Sequence, residues 1–190
     1  MKEILGLGFK LLVICLISAL LLGVANEATK EKIADVRAAA NEKARKEVSP
    51  DADGFMLIEE SVMNEVIAIN PSVTEVFKAQ KGDDVVGFVM KSEPNGYGGA
   101  VVVITGVDMD GIVTGVRIGS HQETPGLGGN ATLPKFYEQY NGKNAVNGIG
   151  VSKTGSSETE IQAISGATIS SQAVTDGVNY IGEIFDVLTK

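Results

Sequence analysis

Residues 101–129 read VVVITGVDMDGIVTGVRIGSHQETPGLGG: two runs rich in Val and Ile, joined through Met109-Asp110-Gly111 and followed by a loop crowded with turn formers. β-Branched residues favour the pleated, half-buried surface of a sheet, and Asp-Gly between two such runs is a strong hairpin signal. Val101–Val107 and Ile112–Ser120 are therefore expected to pair as antiparallel strands. Upstream, 73–79 and 85–91 have the same character and are separated by the turn residues Lys81-Gly82-Asp83-Asp84. Four strands joined by short turns predict an antiparallel sheet in an α+β domain.

The segment after the last strand, His121–Gly129 (HQETPGLGG), cannot be regular structure because Pro and three glycines fall within nine residues. A second glycine-rich loop, Asn95–Gly99 (NGYGG), precedes the hairpin, Leu133–Tyr140 reads as a short helix, and 141–159 reads as a surface excursion. Near the end of the chain stands SGATISS, Ser165–Ser171. It precedes a segment with Val174, Val178, Ile181, Ile184, Phe185 and Leu188 at helical spacing and polar residues on the other faces. Thr168 thus lies where a loop enters an amphipathic helix, a place that favours anions. Gly166 permits a sharp turn and the close approach of a ligand. The simpler reading of SGATISS is a Ser or Thr helix cap.

The N-terminus offers two readings. Ile4–Ala25 is a 22-residue apolar stretch interrupted by Lys10; as a helix it would reach about 33 Å, enough to cross a bilayer core. If Lys10 belongs to a charged leader, the apolar run shortens to Leu11–Val24, a secretory-signal length, with Gly23 and Ala25 as small residues at a cleavage site. Alternatively Lys10 snorkels to the interface and the helix is retained. In both readings Lys2 and Lys10 keep the N-terminal flank inside, so the chain after Ala25 is expected outside the cytoplasm. Cys15, the single cysteine, lies in this run, which excludes an internal disulfide and a cysteine-based metal site. From Asn26 to Val48 the chain is rich in Ala, Glu, Lys and Arg and reads as a partly solvated helical stalk, ended by SPDADG at 49–54.

Charge narrows the partners. The 190 residues carry a formal charge of −8; residues 1–26 contribute +1 (Lys2 and Lys10 against Glu3), so the remainder carries −9. An acidic surface argues against nucleic acid and against unaided adhesion to anionic lipid. No dinucleotide fingerprint follows any strand, and a single His with no available Cys cannot assemble a nucleophile–base pair. His121 is read as a structural residue of the loop, and the paired acids Glu59-Glu60 and Asp83-Asp84 as solvated surface.

The order GYGG, HQETPGLG, SGATISS, over roughly Thr74–Lys190, resembles the FMN-binding domain shared by the G subunit of Rnf-type electron transport complexes and the C subunit of sodium-translocating NADH:quinone reductases. The C subunit is commonly longer than this chain, so the G subunit is expected. The resemblance implies a transmembrane anchor at 1–25, a helical stalk at 26–50 and an extracytoplasmic FMN-binding domain at 51–190, in which an antiparallel sheet is flanked by helices. It implies FMN attached as a phosphoester to Thr168. Ser165, Gly166, Ala167 and Ser170 would stand around the linkage, and Gly126, Leu127 and Gly128 along the flavin, with Leu127 covering a ring face and amides near Gly126 and Gly128 tuning it, while Glu123 and Thr124 would shape the loop or contact the flavin. A magnesium-dependent flavin transferase using FAD would install the group. The family pattern places an acid six positions before the threonine; here that position is Gln162, with Glu160 two residues earlier.

On that resemblance the chain is expected to be an electron-transfer subunit, with the membrane, the other Rnf subunits and the transferase as partners. It would be a redox part of a ferredoxin:NAD translocase, not a complete enzyme. The alternatives are a secreted FMN-binding module serving a soluble reductase or sensor, beginning at Asn26 after cleavage, and a tethered scaffold in which SGATISS only caps a helix.

Overall fold

The computed structural model describes residues 2–155 and 157–190; the side chain of Lys2, read above as an inside cation, and Ser156, within the expected surface excursion, lie outside what is described. The chain divides into two compact units, 1–39 and 40–190. One helix, α1 (Lys2–Val48), supplies the first unit and its last turns begin the second. The apolar run and the stalk are thus one continuous helix, as expected where no Gly or Pro interrupts residues 24–49. In the first unit Ile4, Leu11, Leu16, Leu20 and Leu22 are all more than half exposed. That helix is long and apolar enough to cross a membrane.

The second unit is an α+β domain built on a five-stranded antiparallel sheet in the order β1-β2-β3-β4-β5: Gly54–Leu57, Val73–Lys81, Asp84–Ser92, Val103–Asp108 and Val113–Ile118. The Asp110-Gly111 hairpin forms as its sequence requires, with Gly111 at φ +76° and Asp108 Oδ1 accepting from the amides of Asp110 and Ile112 at 2.9 Å each. Helix α4 (Thr168–Leu188) lies across one face and buries Val174, Val178, Ile181 and Ile184 completely, against Val76, Phe88, Met90, Val103 and Val116. The opposite face packs Ala79, Val89, Val102 and Ile104 beneath Val48 of α1. Cover on both faces explains why the strands read as near-continuous apolar runs.

Glycines set two close approaches. Gly106 and Gly115 are register partners, and a Cβ on either would meet Val48, at 2.3 Å from its carbonyl oxygen and 2.8 Å from its Cα respectively; Thr114 Oγ1 donates to that carbonyl at 2.5 Å. In α4, Gly177 lets the helix settle on Pro94, Ser92 and Val103, where a Cβ would meet each at 3.0 Å, and Ser92 Oγ donates to its carbonyl at 3.1 Å. That second contact seats the end of β3 and Pro94 against the middle of α4.

Several elements depart from the sequence reading. Strand β1 and helix α2 (Glu60–Ile69) are additional, and Glu59 and Glu60, read as solvated surface, are exposed at the start of that helix. The helix expected at 133–140 is two short turns, α3 (Pro134–Tyr137) and a 3₁₀ turn over Glu138–Tyr140, and the loop read as irregular ends in another 3₁₀ turn, Gly128–Thr132. The segment 141–159 is more than surface: it buries Ala145 and Ile149 and contributes β6 (Gly150–Ser152), which pairs in parallel with β7 (Glu160–Gln162). Its amides also cover the outer edge of β5, as Gly142 donates to Val113 O and Val113 to Lys143 O.

Candidate functional site

The three glycine-rich motifs converge on one side chain. Glu123, only 6% exposed, lies where NGYGG, HQETPGLGG and the start of α4 meet. Its Oε1 accepts from the Gly98 amide at 3.0 Å and its Oε2 from the Ser170 hydroxyl at 2.5 Å, and its own amide donates to His121 Nδ1 at 3.2 Å. His121, read as structural, thus anchors the loop that carries Glu123. Burial pushes the Glu123 carboxyl up, but bonds from Ser170 and from the amides of Gly98 and Tyr97, with His121 nearby, hold it below the usual carboxylate range. Glycine makes this possible, since a Cβ at Gly96 would sit 2.2 Å from Oε1, and one at Gly128 2.3 Å from both Oε2 and Ser170 Oγ.

Around this junction opens a cavity of about 560 Å³ lined by Tyr97, Glu123, Thr124, Leu127, Gly128 and residues 166–170, within the size range of small-molecule sites. The structure therefore brings together eight of the ten residues singled out from the sequence: Thr168, Gly166, Ala167, Ser170, Glu123, Thr124, Leu127 and Gly128. Ser165 faces a neighbouring cavity of about 600 Å³ that also includes Gln162, Lys135 and Phe136. Gly126 lies outside the lining; it turns the loop at φ +77°, and its carbonyl accepts from Asn130 Nδ2 at 3.0 Å. Tyr97 and Ile169 line the cavity, exposed at 73% and 58%, and were not singled out. Tyr97 was legible as the one aromatic inside NGYGG, and Ile169 as the one large apolar residue in SGATISS.

The cap reading of SGATISS is not what the helix shows. The residue before the first turn of α4 is Ala167, and no side chain caps it; Ser171 Oγ instead donates backwards to the Ala167 carbonyl at 2.9 Å. Among the described residues the amides of Thr168, Ile169 and Ser170 have no protein acceptor, as the first turn of an uncapped helix requires. Thr168 itself is the exposed first residue of α4, so its hydroxyl faces solvent at the cavity wall. In the loop above, the amides of Leu127 and Gly129 are both held by the Thr124 carbonyl at 3.1 Å, while those of Gly126 and Gly128 have no acceptor among the described residues.

These residues fit a flavin mononucleotide. Free amides at the N-terminus of a 21-residue helix suit a phosphate, and Tyr97, Leu127 and Ile169 offer apolar surface to a planar ring. Gly166 turns the chain into α4 at φ +77°, a conformation L residues rarely adopt, with Leu127 Cδ2 alongside. Gln162, at the position where the family pattern has an acid, is exposed; its amide donates to Gln139 Oε1 at 2.7 Å and its side chain to Lys153 O at 3.2 Å.

Comparison with known proteins agrees. Residues 96–182 match the model of the FMN-binding domain. The chain is 37% identical to the G subunit of the Na⁺-translocating ferredoxin:NAD⁺ oxidoreductase complex of Acetobacterium woodii, over all of this chain and 95% of that one. It is 32% identical to the G subunit of the ion-translocating oxidoreductase complex of Methanosarcina acetivorans, over 94% and 92%. Among solved structures, the C subunit of the Na⁺-translocating NADH-quinone reductase from Parabacteroides distasonis superposes with a TM-score of 0.56 at 23% identity, covering 73% of this chain and 79% of that one, which shows a shared fold. The chain therefore belongs to the G-subunit family of ion-translocating ferredoxin:NAD⁺ oxidoreductase complexes.

Proposed function

We propose that this chain is the membrane-anchored electron-transfer subunit of an ion-translocating ferredoxin:NAD⁺ oxidoreductase and carries FMN joined through its phosphate to Thr168. The observation that carries the reading is the place of Thr168: an exposed hydroxyl at the first residue of α4, in the wall of a cavity whose nearest helix amides lack acceptors. Bound FMN would supply reversible electron uptake and release. The chain's part is to hold and shield. Leu127, Ile169 and Tyr97 keep water from a ring face, and the Thr168 ester makes retention intramolecular, at an effective concentration on the order of millimolar for a short tether. In the installing reaction the Thr168 Oγ–phosphorus bond forms as the phosphoanhydride of FAD breaks; AMP leaves with the bridging oxygen, and the hydroxyl proton passes to a base of the transferase or to solvent.

The anchor at 1–25, the stalk at 26–50 and an extracytoplasmic domain at 51–190 belong to the same reading. Lys30, Lys32 and Arg37 flank the far end of the apolar run, so charge asymmetry alone does not orient the helix; the orientation rests on family membership. Nothing favours a secreted module over a complex subunit. Co-expression of the full chain with the flavin transferase, followed by intact-mass measurement, tests the proposal: wild type gains one FMN less water, and Thr168→Ala gains none. An unchanged adduct on Thr168→Ala, or no adduct on wild type, defeats it.

A further inference from the structure

The cavity that Thr168 lines also holds a buried carboxylate, Glu123. Glu123 is a buried carboxylate held by three donors from two motifs, and one of these is Ser170, the third residue of α4. The positive end of the helix therefore already has a resident anion. Thr168 and Glu123 line the same cavity, so a phosphate on the Thr168 hydroxyl would share it with the carboxylate. Glycines at 96 and 128 hold the carboxylate there, since a Cβ at either position would occupy its oxygen sites. Among the described residues no Lys or Arg lines the cavity to offset the pair.

We infer that Glu123 makes this a site that does not capture free FMN: its charge opposes the phosphate at the N-terminus of α4, so the cofactor stays only through the covalent bond to Thr168. Glu123 is thus a positioning residue that ties the three loops together and excludes an untethered phosphate. The inference rests on the reading of Thr168 as the phosphate's attachment point. It separates two roles of opposite sign. If Glu123 only shaped the pocket, neutralising it would loosen the loops and weaken every ligand. If its charge repels phosphate, neutralising it strengthens FMN and leaves riboflavin, which lacks the phosphate, unaffected.

The test uses the full-length chain in detergent, expressed without the transferase, as Thr168→Ala and as Thr168→Ala with Glu123→Gln. Glutamine keeps an acceptor for Gly98 and a polar group for Ser170 while removing the charge. Binding of FMN and of riboflavin is measured by fluorescence titration. The expected result is FMN affinity higher by about tenfold or more in the double variant, the scale of one unit charge several ångströms away at an effective dielectric constant of about 20, with riboflavin affinity unchanged. Equal or weaker FMN binding overturns the inference, and so does an equal gain for both ligands, which would place the effect on the ring. If the double variant does not fold by circular dichroism, the salt dependence of Thr168→Ala decides: FMN binding that strengthens with NaCl while riboflavin binding does not supports the inference, and any other pattern overturns it. The mass adduct on wild type is scored separately. An adduct without the Gln gain sinks this inference alone, whereas no adduct on wild type sinks the Thr168 assignment and this inference with it.

Discussion

Gly128→Ala probes whether the three motifs are locked through Glu123. The added methyl would sit 2.3 Å from both Glu123 Oε2 and Ser170 Oγ and 3.0 Å from Glu123 Cβ. The hydroxyl could rotate away, but Glu123 Cβ is fixed by its own backbone, whose amide is bound to His121. Relief therefore requires breaking the 2.5 Å bond between Ser170 and the carboxylate and leaving a buried charge short of a donor. Losing a hydrogen bond to a charged group costs about 1.5–3 kcal/mol, and overpacking adds about 1–3 kcal/mol, together roughly 2.5–6 kcal/mol. For a domain of this size each kcal/mol lowers the Tm by about 2–4 °C, so a drop of about 10 °C is expected in a thermal melt followed by circular dichroism. Gly126→Ala is the control: its φ of +77° strains any L residue, but a Cβ there meets nothing within 4 Å, so only about 1 kcal/mol is lost. A Gly128→Ala protein melting within about 3 °C of wild type, or a Gly126→Ala protein less stable than Gly128→Ala, would refute the clamp.

Three further outcomes are expected. Because the folded Glu123 carboxyl lies below its ordinary value of 4.5, its contribution is present above the unfolded value and is lost as pH falls through the folded one; the Tm gap between wild type and Glu123→Gln should be largest near neutrality and shrink as pH falls below that ordinary value, and a gap that widens on acidification contradicts this. Gln162→Asp restores an acid at the family position and gives up only the 3.2 Å bond to Lys153 O, so it should raise the flavinylated fraction by intact mass; an unchanged or lower fraction refutes a role for that carboxylate. For topology, Cys15→Ala combined with Thr154→Cys, an exposed position, should react with an impermeant maleimide in intact cells, and labelling only after lysis would put the domain in the cytoplasm.

The two-run pattern around Asp110-Gly111 and the stripe from Val174 to Leu188 were legible because each repeats with the period of its own backbone, 2 in a strand and 3.6 in a helix. Strand β1 and helix α2 were not. Gly54–Leu57 is four residues long, too short for alternation to declare itself, and α2 leaves Ile67 and Ile69 exposed, so its apolar residues do not form one clean face. Segment 141–159 read as surface because its Gly, Asn and Ser mark turns, whereas Ala145 and Ile149 are buried by contacts with α4 and β5 that no local period announces.

For the site, the motifs and their order came from the sequence, as did Thr168 at a helix start, since loop composition and helical spacing are local properties. What the tertiary structure alone decided is how the motifs share one carboxylate. Gly98, Glu123 and Ser170 are separated by 25 and 47 positions, and no periodicity links them. Glycine at 96 and 128 leaves the space in which they come within hydrogen-bond reach. A residue read as shaping a loop or contacting the flavin thereby becomes the buried charge that joins three segments of the chain, because hydrogen bonds and burial depend on distance in space and not along the chain.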